Sequence, residues 1–308
     1  MTSSWLSLRL PAALTLAAVL TACPDDPPAP APAETGKTTA TAAPSGPATA
    51  APSASTAPKA LTGMLSEEDF KALHELREGD APPAKGEMID LDGSQAYLSL
   101  PKGAEPPLPA VVVVHEWWGL NQHIKHWSDR LAEAGYAALA VDLYGGKTAT
   151  TPDEAMALMK AVDDAAATKI LLAAYRRLAD DPKVKAQKRA SIGWCFGGKW
   201  SLELALAAPD LDAAVVYYGH VETSPERLTK LEAPLLAIFG NEDEGIPPKM
   251  VDTFEFGLEQ AGRKKYTIKR YDAKHAFANP SSGRYDQPAA TEAWGEVQTF
   301  LRSHLATP

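Results

Sequence analysis

Between Ala110 and Tyr271 the chain alternates short apolar runs with longer amphipathic ones, and that rhythm restricts the fold more than any other feature. The runs "AVVVVH" (110–115), "YAALAVD" (136–142), "RASIGW" (189–194), "AAVVYY" (213–218), "PLLAIFG" (234–240) and "YTIKRY" (266–271) are dense in β-branched or other apolar residues. Helical patterns occupy 123–134, 153–180, 197–208, 247–261 and 288–305. Strands that are apolar on both faces and separated by helices predict an α/β fold with a mostly parallel central sheet covered on both sides. Two shorter alternating runs, "GEMIDL" and "QAYLSL", predict an antiparallel entry hairpin. Before them, "SEEDFKALHELREG" predicts a packing helix capped by Ser66. In such sheets the ligand crevice lies at the carboxyl ends of the strands, so functional residues are expected just after these runs.

The N-terminal segment argues about compartment rather than chemistry. Residues 1–22 carry a single charge, Arg9, followed by an apolar run from Leu10 to Leu20, the layout of a secretory signal. That run is short for a membrane span. "LTAC" then resembles the bacterial lipoprotein signal, in which the cysteine, here Cys23, is acylated and becomes the new N-terminus. From Pro24 to Ala60 there is no Leu, Ile, Val, Met or aromatic residue, so the segment has nothing to bury and reads as a disordered tether. As a flexible coil it would reach roughly 35 Å. The expected organisation is therefore a signal over 1–22, a lipidated cysteine and tether over 23–60, and one folded domain over 61–308. The implied location is the cell envelope, lipid-anchored and facing the periplasm, with the membrane touched through the anchor alone.

The formal net charge is −9, and loss of Arg9 with the signal makes it −10. An acidic domain of this kind disfavours nucleic acid as a partner. With Cys23 lipidated, the folded part keeps one cysteine, Cys195, and has no internal disulfide. An unpaired thiol in an oxidising compartment is a liability. Its retention therefore asks for a use.

Three residues fall where the strand rule puts chemistry. Cys195 follows the run 189–194, Asp243 follows 234–240 and His275 follows 266–271. "GWCFG" (193–197) is G-x-C-x-G, the cysteine form of a nucleophile elbow. Its glycines permit a tight strand-to-helix turn that presents the side chain at the helix N-terminus. A thiolate is the nucleophilic form of cysteine, a histidine base serves it, and a carboxylate fixes the histidine's tautomer. The order nucleophile, acid, histidine is that of α/β-hydrolases. Glu242 and Glu244 compete with Asp243 in the same loop. Glu116, directly after a four-valine strand, must be paired or functional, because an unpaired buried charge is costly. Trp117 and Trp118 read equally as pocket walls or as packing. His123 and His126 read as a solvated helix face; lacking a third ligand, they predict no metal site.

From about Glu87 to Leu305 the chain resembles the dienelactone hydrolase family of α/β-hydrolases, through "HEWWGLN" (115–121), "VDLYGG" (141–146), "GWCFGG" (193–198), "YYG" (217–219), "GNEDEGIP" (240–247) and "HAF" (275–277). The resemblance implies Cys195 as nucleophile, His275 as base and Asp243 as its orienting acid. It implies that Glu116 meets the cysteine when substrate arrives, and that the backbone N–H groups of Trp117 and Phe196 form the oxyanion hole. Trp118, Tyr144, Lys147 and Asn279 are the expected substrate contacts. Where the family holds a substrate carboxylate with two arginines, this chain has "DLYGGK" and "HAFAN", so Lys147 and Asn279 stand in place of guanidinium forks. A neutral or differently shaped ester, lactone or thioester is expected as the small-molecule substrate. No cofactor is expected, and the domain is read as a monomer. The competing expectation is a binding or thiol redox-sensing module on a hydrolase scaffold.

Overall fold

A computed structural model describes residues 83–306. The signal, Cys23, the tether and the helix expected around Ser66 lie outside the described residues. Eight strands, β1 (Glu87–Leu91), β2 (Ser94–Ser99), β3 (Ala110–Val114), β4 (Ala137–Val141), β5 (Arg189–Trp194), β6 (Ala213–Tyr217), β7 (Leu235–Gly240) and β8 (Tyr266–Tyr271), form one sheet in the order β1-β2-β4-β3-β5-β6-β7-β8. β1 and β2 make the expected antiparallel hairpin, and β2 also runs antiparallel to β4. From β4 to β8 every pairing is parallel.

Seven helices accompany these strands among the described residues: α1 (Gln122–Glu133), α2 (Pro152–Lys160), α3 (Asp164–Asp180), α4 (Phe196–Ala207), α5 (Pro225–Leu228), α6 (Pro248–Gln260) and α7 (Gln287–Leu305). The central strands are buried on both faces, which is why their sequences read as unbroken apolar runs rather than alternations. Alternate residues serve opposite cores. Val112 and Val114 join Leu171, Leu204 and Phe254 from α3, α4 and α6. Val111 and Val113 join Trp127, Leu131, Trp294 and Leu301 from α1 and α7.

The long helix expected over 153–180 is two helices. α2 ends at Lys160, and α3 begins after Asp163, whose side chain accepts from the Ala166 N–H at 2.8 Å. The paired aspartates of "AVDDAA" are a start signal inside a stretch whose apolar period runs on without a break. The four-residue α5 was not anticipated, being too short to show a period. Among the described residues no helix is long and apolar enough to cross a membrane.

Candidate active site

Four of the parallel strands deliver the residues that follow them to one edge of the sheet. β3 runs into His115, Glu116 and Trp117; β5 into Cys195; β7 into the loop of Asp243; β8 into the loop of His275. The turn after β5 is held open to Cys195 by close backbone packing. A Cβ on Gly193 would lie 2.0 Å from the Gly197 oxygen, and one on Gly197 would lie 2.3 Å from the Val114 oxygen. No side chain fits at either place. Cys195 itself adopts φ +55°, ψ −118°, unusual for a residue with a Cβ, and its N–H bonds to the Tyr217 carbonyl at 3.0 Å. Phe196 is the first residue of α4, so its N–H has no partner within the helix and faces the same edge as the thiol.

His275 Nδ1 lies 2.7 Å from Asp243 Oδ2. Asp243 Oδ1 accepts from the N–H groups of Gly245 at 2.7 Å and Ile246 at 2.8 Å. Burial pushes the Asp243 pKa up, but the hydrogen bonds from His275 and the loop, together with the imidazolium charge, outweigh it and leave the carboxylate below its ordinary value. Burial pushes His275 down, whereas its hydrogen bonds to Asp243 and Cys195, and the charges of both, raise it to about 10. Both neighbours thus favour the protonated imidazole. Glu242 and Glu244, the alternatives in that loop, are exposed.

Glu116 is 3 % exposed and its carboxyl is raised to about 7, chiefly by burial, against the opposing effects of the His275 charge and a hydrogen bond from Asn279. That bond, Asn279 Nδ2 to Glu116 Oε2, is 2.6 Å long. The carboxyl is thus held by Asn279 rather than by Cys195. Asn279 is buried, and its own oxygen accepts from the N–H and hydroxyl of Ser281. Held at both ends in this way, the amide fixes Glu116.

The cavity beside Cys195, about 260 Å³, is lined by residues other than the expected substrate contacts. Its apolar wall comes from Met159 and Val162 at the α2–α3 break, Phe196 and Trp200 of α4, and Ile246. Tyr218 and His275 close its base, and Lys199, Asp164 and His220 supply its polar groups. None of Trp118, Tyr144, Lys147 and Asn279 lines it. Tyr144 is buried with its ring against His115 and Phe196, Lys147 is exposed, and Trp118 packs edge-on against Trp117. The lysine at the cavity, Lys199, already faces Asp164 at 3.4 Å and lies 4.4 Å from the Trp200 ring. Trp200 was findable, since it stands one helical turn beyond Phe196. Met159 and Val162 were not, because their approach depends on the α2–α3 break.

The paired histidines of α1 are likewise not a solvated face. His123 and His126 are each 6 % exposed. Trp127 Nε1 donates to His123 Nε2 at 3.2 Å, and that nitrogen lies 3.8 Å from Glu116 Oε2. α1 buries polar residues along with apolar ones, so polarity alone misreads its inner face. Among the described residues no group of three or more His, Cys, Asp or Glu side chains converges as metal ligands.

Known proteins share this arrangement of strands and loops. Residues 94–305 match the model of the dienelactone hydrolase family. The "Putative carboxymethylenebutenolidase" of Saccharolobus solfataricus is 31% identical over 254 residues, covering 70% of this chain and 96% of that protein. One of the same name from Escherichia coli is 30% identical over 230 residues, covering 69% and 83%. The crystal structure of a "Putative Dienelactone Hydrolase" from Klebsiella pneumoniae superposes with a TM-score of 0.61 at 30% identity, over 71% of this chain and 95% of that one. With its α/β-hydrolase sheet and a family match that runs from β2 to α7, this chain belongs to the dienelactone hydrolase family.

Proposed function

We propose that this protein hydrolyses neutral, largely apolar carboxylic esters, lactones or thioesters through a covalent Cys195 intermediate, while tethered to the cell envelope by a lipid on Cys23. The chain is a hydrolase of the carboxymethylenebutenolidase class. The observation that carries the finer reading is the line Asp243–His275–Cys195 beside an apolar cavity, with His275 raised to about 10 by its two neighbours.

In this reading the Cys195 thiolate attacks the substrate carbonyl carbon, and the electron pair displaced onto oxygen is met by the N–H groups of Phe196 and Trp117. Collapse of that oxyanion breaks the bond to the leaving alkoxide, which takes its proton from the His275 imidazolium. Neutral His275 then takes a proton from water, whose oxygen attacks the thioester. The second collapse releases the acid and restores thiolate and imidazolium.

Neutral substrates are favoured because the cavity holds no free guanidinium fork and its lysine is engaged by Asp164. Offered p-nitrophenyl butyrate, a neutral lactone and an anionic dienelactone, the protein turns over the first two with at least tenfold higher kcat/KM than the third. Preference for the anionic lactone would refute the assignment of substrate class. Hydrolysis of none of them by folded protein whose thiol reacts with iodoacetamide would refute the hydrolytic role of Cys195 and favour the redox reading.

The anchor is tested separately. In a bacterial host given radiolabelled palmitate, the full chain incorporates label and sediments with membranes. Cys23→Ser loses the label and leaves the membrane fraction. Label retained in that variant would exclude Cys23 as the lipidated residue.

A further inference from the structure

Resting on the acyl-transfer reading above, we infer that His115 is the positioning residue of the oxyanion hole: its Nδ1–H grips the carbonyl of the 116–117 peptide and so aims the Trp117 N–H at the oxygen of the ester attacked by Cys195.

The tautomer follows from a backbone donor. The Leu143 N–H, just past β4, donates to His115 Nε2 at 3.1 Å, so Nε2 carries no proton. The proton therefore sits on Nδ1, 2.6 Å from the Glu116 carbonyl oxygen. His115 is wholly buried, and that burial lowers its pKa to about 4, which keeps it neutral with one donor and one acceptor at working pH. A planar trans peptide sets its C=O and N–H on opposite edges. Fixing the Glu116 oxygen therefore fixes the direction of the Trp117 hydrogen. A second bond, from the Gly119 N–H at 3.1 Å, holds the same oxygen more loosely.

The other donor is tied to the same ring. His115 stacks on Phe196 with centroids 5.6 Å apart and planes 17° from parallel. The close approach of Gly197 brings the first turn of α4 against the backbone of Val114 and His115, where a Cβ would be 2.6 Å from the His115 oxygen. One buried imidazole thus bridges β4, the Glu116–Trp117 peptide and the start of α4. Without its Nδ1–H the 116–117 peptide has one weak restraint against rotation, and rotation would turn a carbonyl oxygen toward the developing oxyanion.

Two near-isosteric variants of the full chain separate positioning from packing. In His115→Asn the side-chain NH2 stands where Nδ1 stood and keeps the bond to the Glu116 carbonyl. In His115→Gln the amide oxygen reaches the Leu143 N–H in place of Nε2. Each loses one of the two hydrogen bonds. His115→Gln is expected to lower kcat for p-nitrophenyl butyrate about 100-fold with KM within about twofold, as for loss of one oxyanion donor. Its affinity for a trifluoromethyl ketone, which forms a tetrahedral adduct with the thiol, falls in parallel. His115→Asn stays within about tenfold of wild type. Alkylation of Cys195 by iodoacetamide, which displaces iodide and builds no charge on a carbonyl oxygen, keeps its rate in both.

Equal losses in the two variants, activity within threefold of wild type in both, or alkylation falling together with hydrolysis in His115→Gln would each overturn the inference. Failure of the underlying reading is seen elsewhere, as hydrolysis that survives Cys195→Ala.

Discussion

Cys195→Ala lowers ester hydrolysis by at least about 10⁴-fold and leaves a folded protein. The loss is large because the later steps have no substitute for the sulfur. Without a thioester, His275 has no acyl-enzyme to which it can direct water, and general-base attack of water on the ester needs a geometry built for a different reacting atom. The fold survives because alanine keeps the Cβ, so the φ of +55° is no more strained than before. The Tyr217 carbonyl still receives the residue 195 N–H, and a half-buried sulfur contributes little packing. The melting temperature is expected within a few degrees of wild type. Burst kinetics supply the complementary result. With an activated ester the wild type shows an acylation burst equal to the enzyme concentration, and intact mass spectrometry finds the acyl group on Cys195. Hydrolysis near the wild-type rate in Cys195→Ala would remove Cys195 from the mechanism and require another nucleophile at the cavity.

Much of this site was legible in the sequence because parallel sheets translate chain order into position. A strand buried on both faces announces itself as an apolar run, and the residue after the run lies at the sheet edge. Cys195, His275 and the loop of Asp243 fall at that edge by this rule, whereas the choice of Asp243 over Glu242 and Glu244 came from the family resemblance; the Asp243–His275 contact at 2.7 Å spans 32 residues. The elbow glycines were readable for a related reason, since a Cβ at Gly193 or Gly197 would lie 2.0 or 2.3 Å from a backbone oxygen, which leaves no alternative residue. What escaped notice depends on side chains meeting across long separations. Asn279 is 163 residues from Glu116, and nothing in "HAFAN" says that its amide turns to a carboxyl rather than to a substrate. The cavity wall escaped for another reason. Met159 and Val162 reach it only because Asp163 caps a new helix, and the apolar period of α2 and α3 hides that break. His115 stood in plain sight beside Glu116, but its tautomer is set by a backbone N–H from a different strand end. Local pattern shows which residues arrive at the sheet edge. Their hydrogen-bond partners are a tertiary matter.

Asp243→Asn should lower kcat by about 10⁴-fold while conserving shape, and the reason lies in the loop that holds the residue. The N–H groups of Gly245 and Ile246 both point at Oδ1, so an asparagine is oriented with its oxygen toward them. Its NH2 then faces His275 Nδ1, which must become an acceptor and pass its proton to Nε2. A protonated Nε2 on neutral imidazole cannot take the proton of an attacking water. The pH behaviour changes with it. In the wild type the imidazolium persists to about 10, so protonation of an alkoxide leaving group is lost only as pH climbs through that value. In Asp243→Asn two of the influences that raise His275 disappear, its hydrogen bond and its charge interaction with the carboxylate, and the alkaline limb of the kcat profile for an alkyl ester moves to lower pH. Stability follows the same linkage. Because the folded-state His275 pKa is raised, its pairing stabilises the fold fully below about pH 6.5 and the contribution fades as pH rises through about 10. Because Asp243 is lowered, the contribution also fades as pH falls through the carboxylate's depressed range. Urea unfolding of wild type and variant should therefore differ most near pH 5.5 and converge toward pH 10. A difference that grew with pH, or an alkaline limb unmoved by the substitution, would mean that Asp243 does not set the charge on His275.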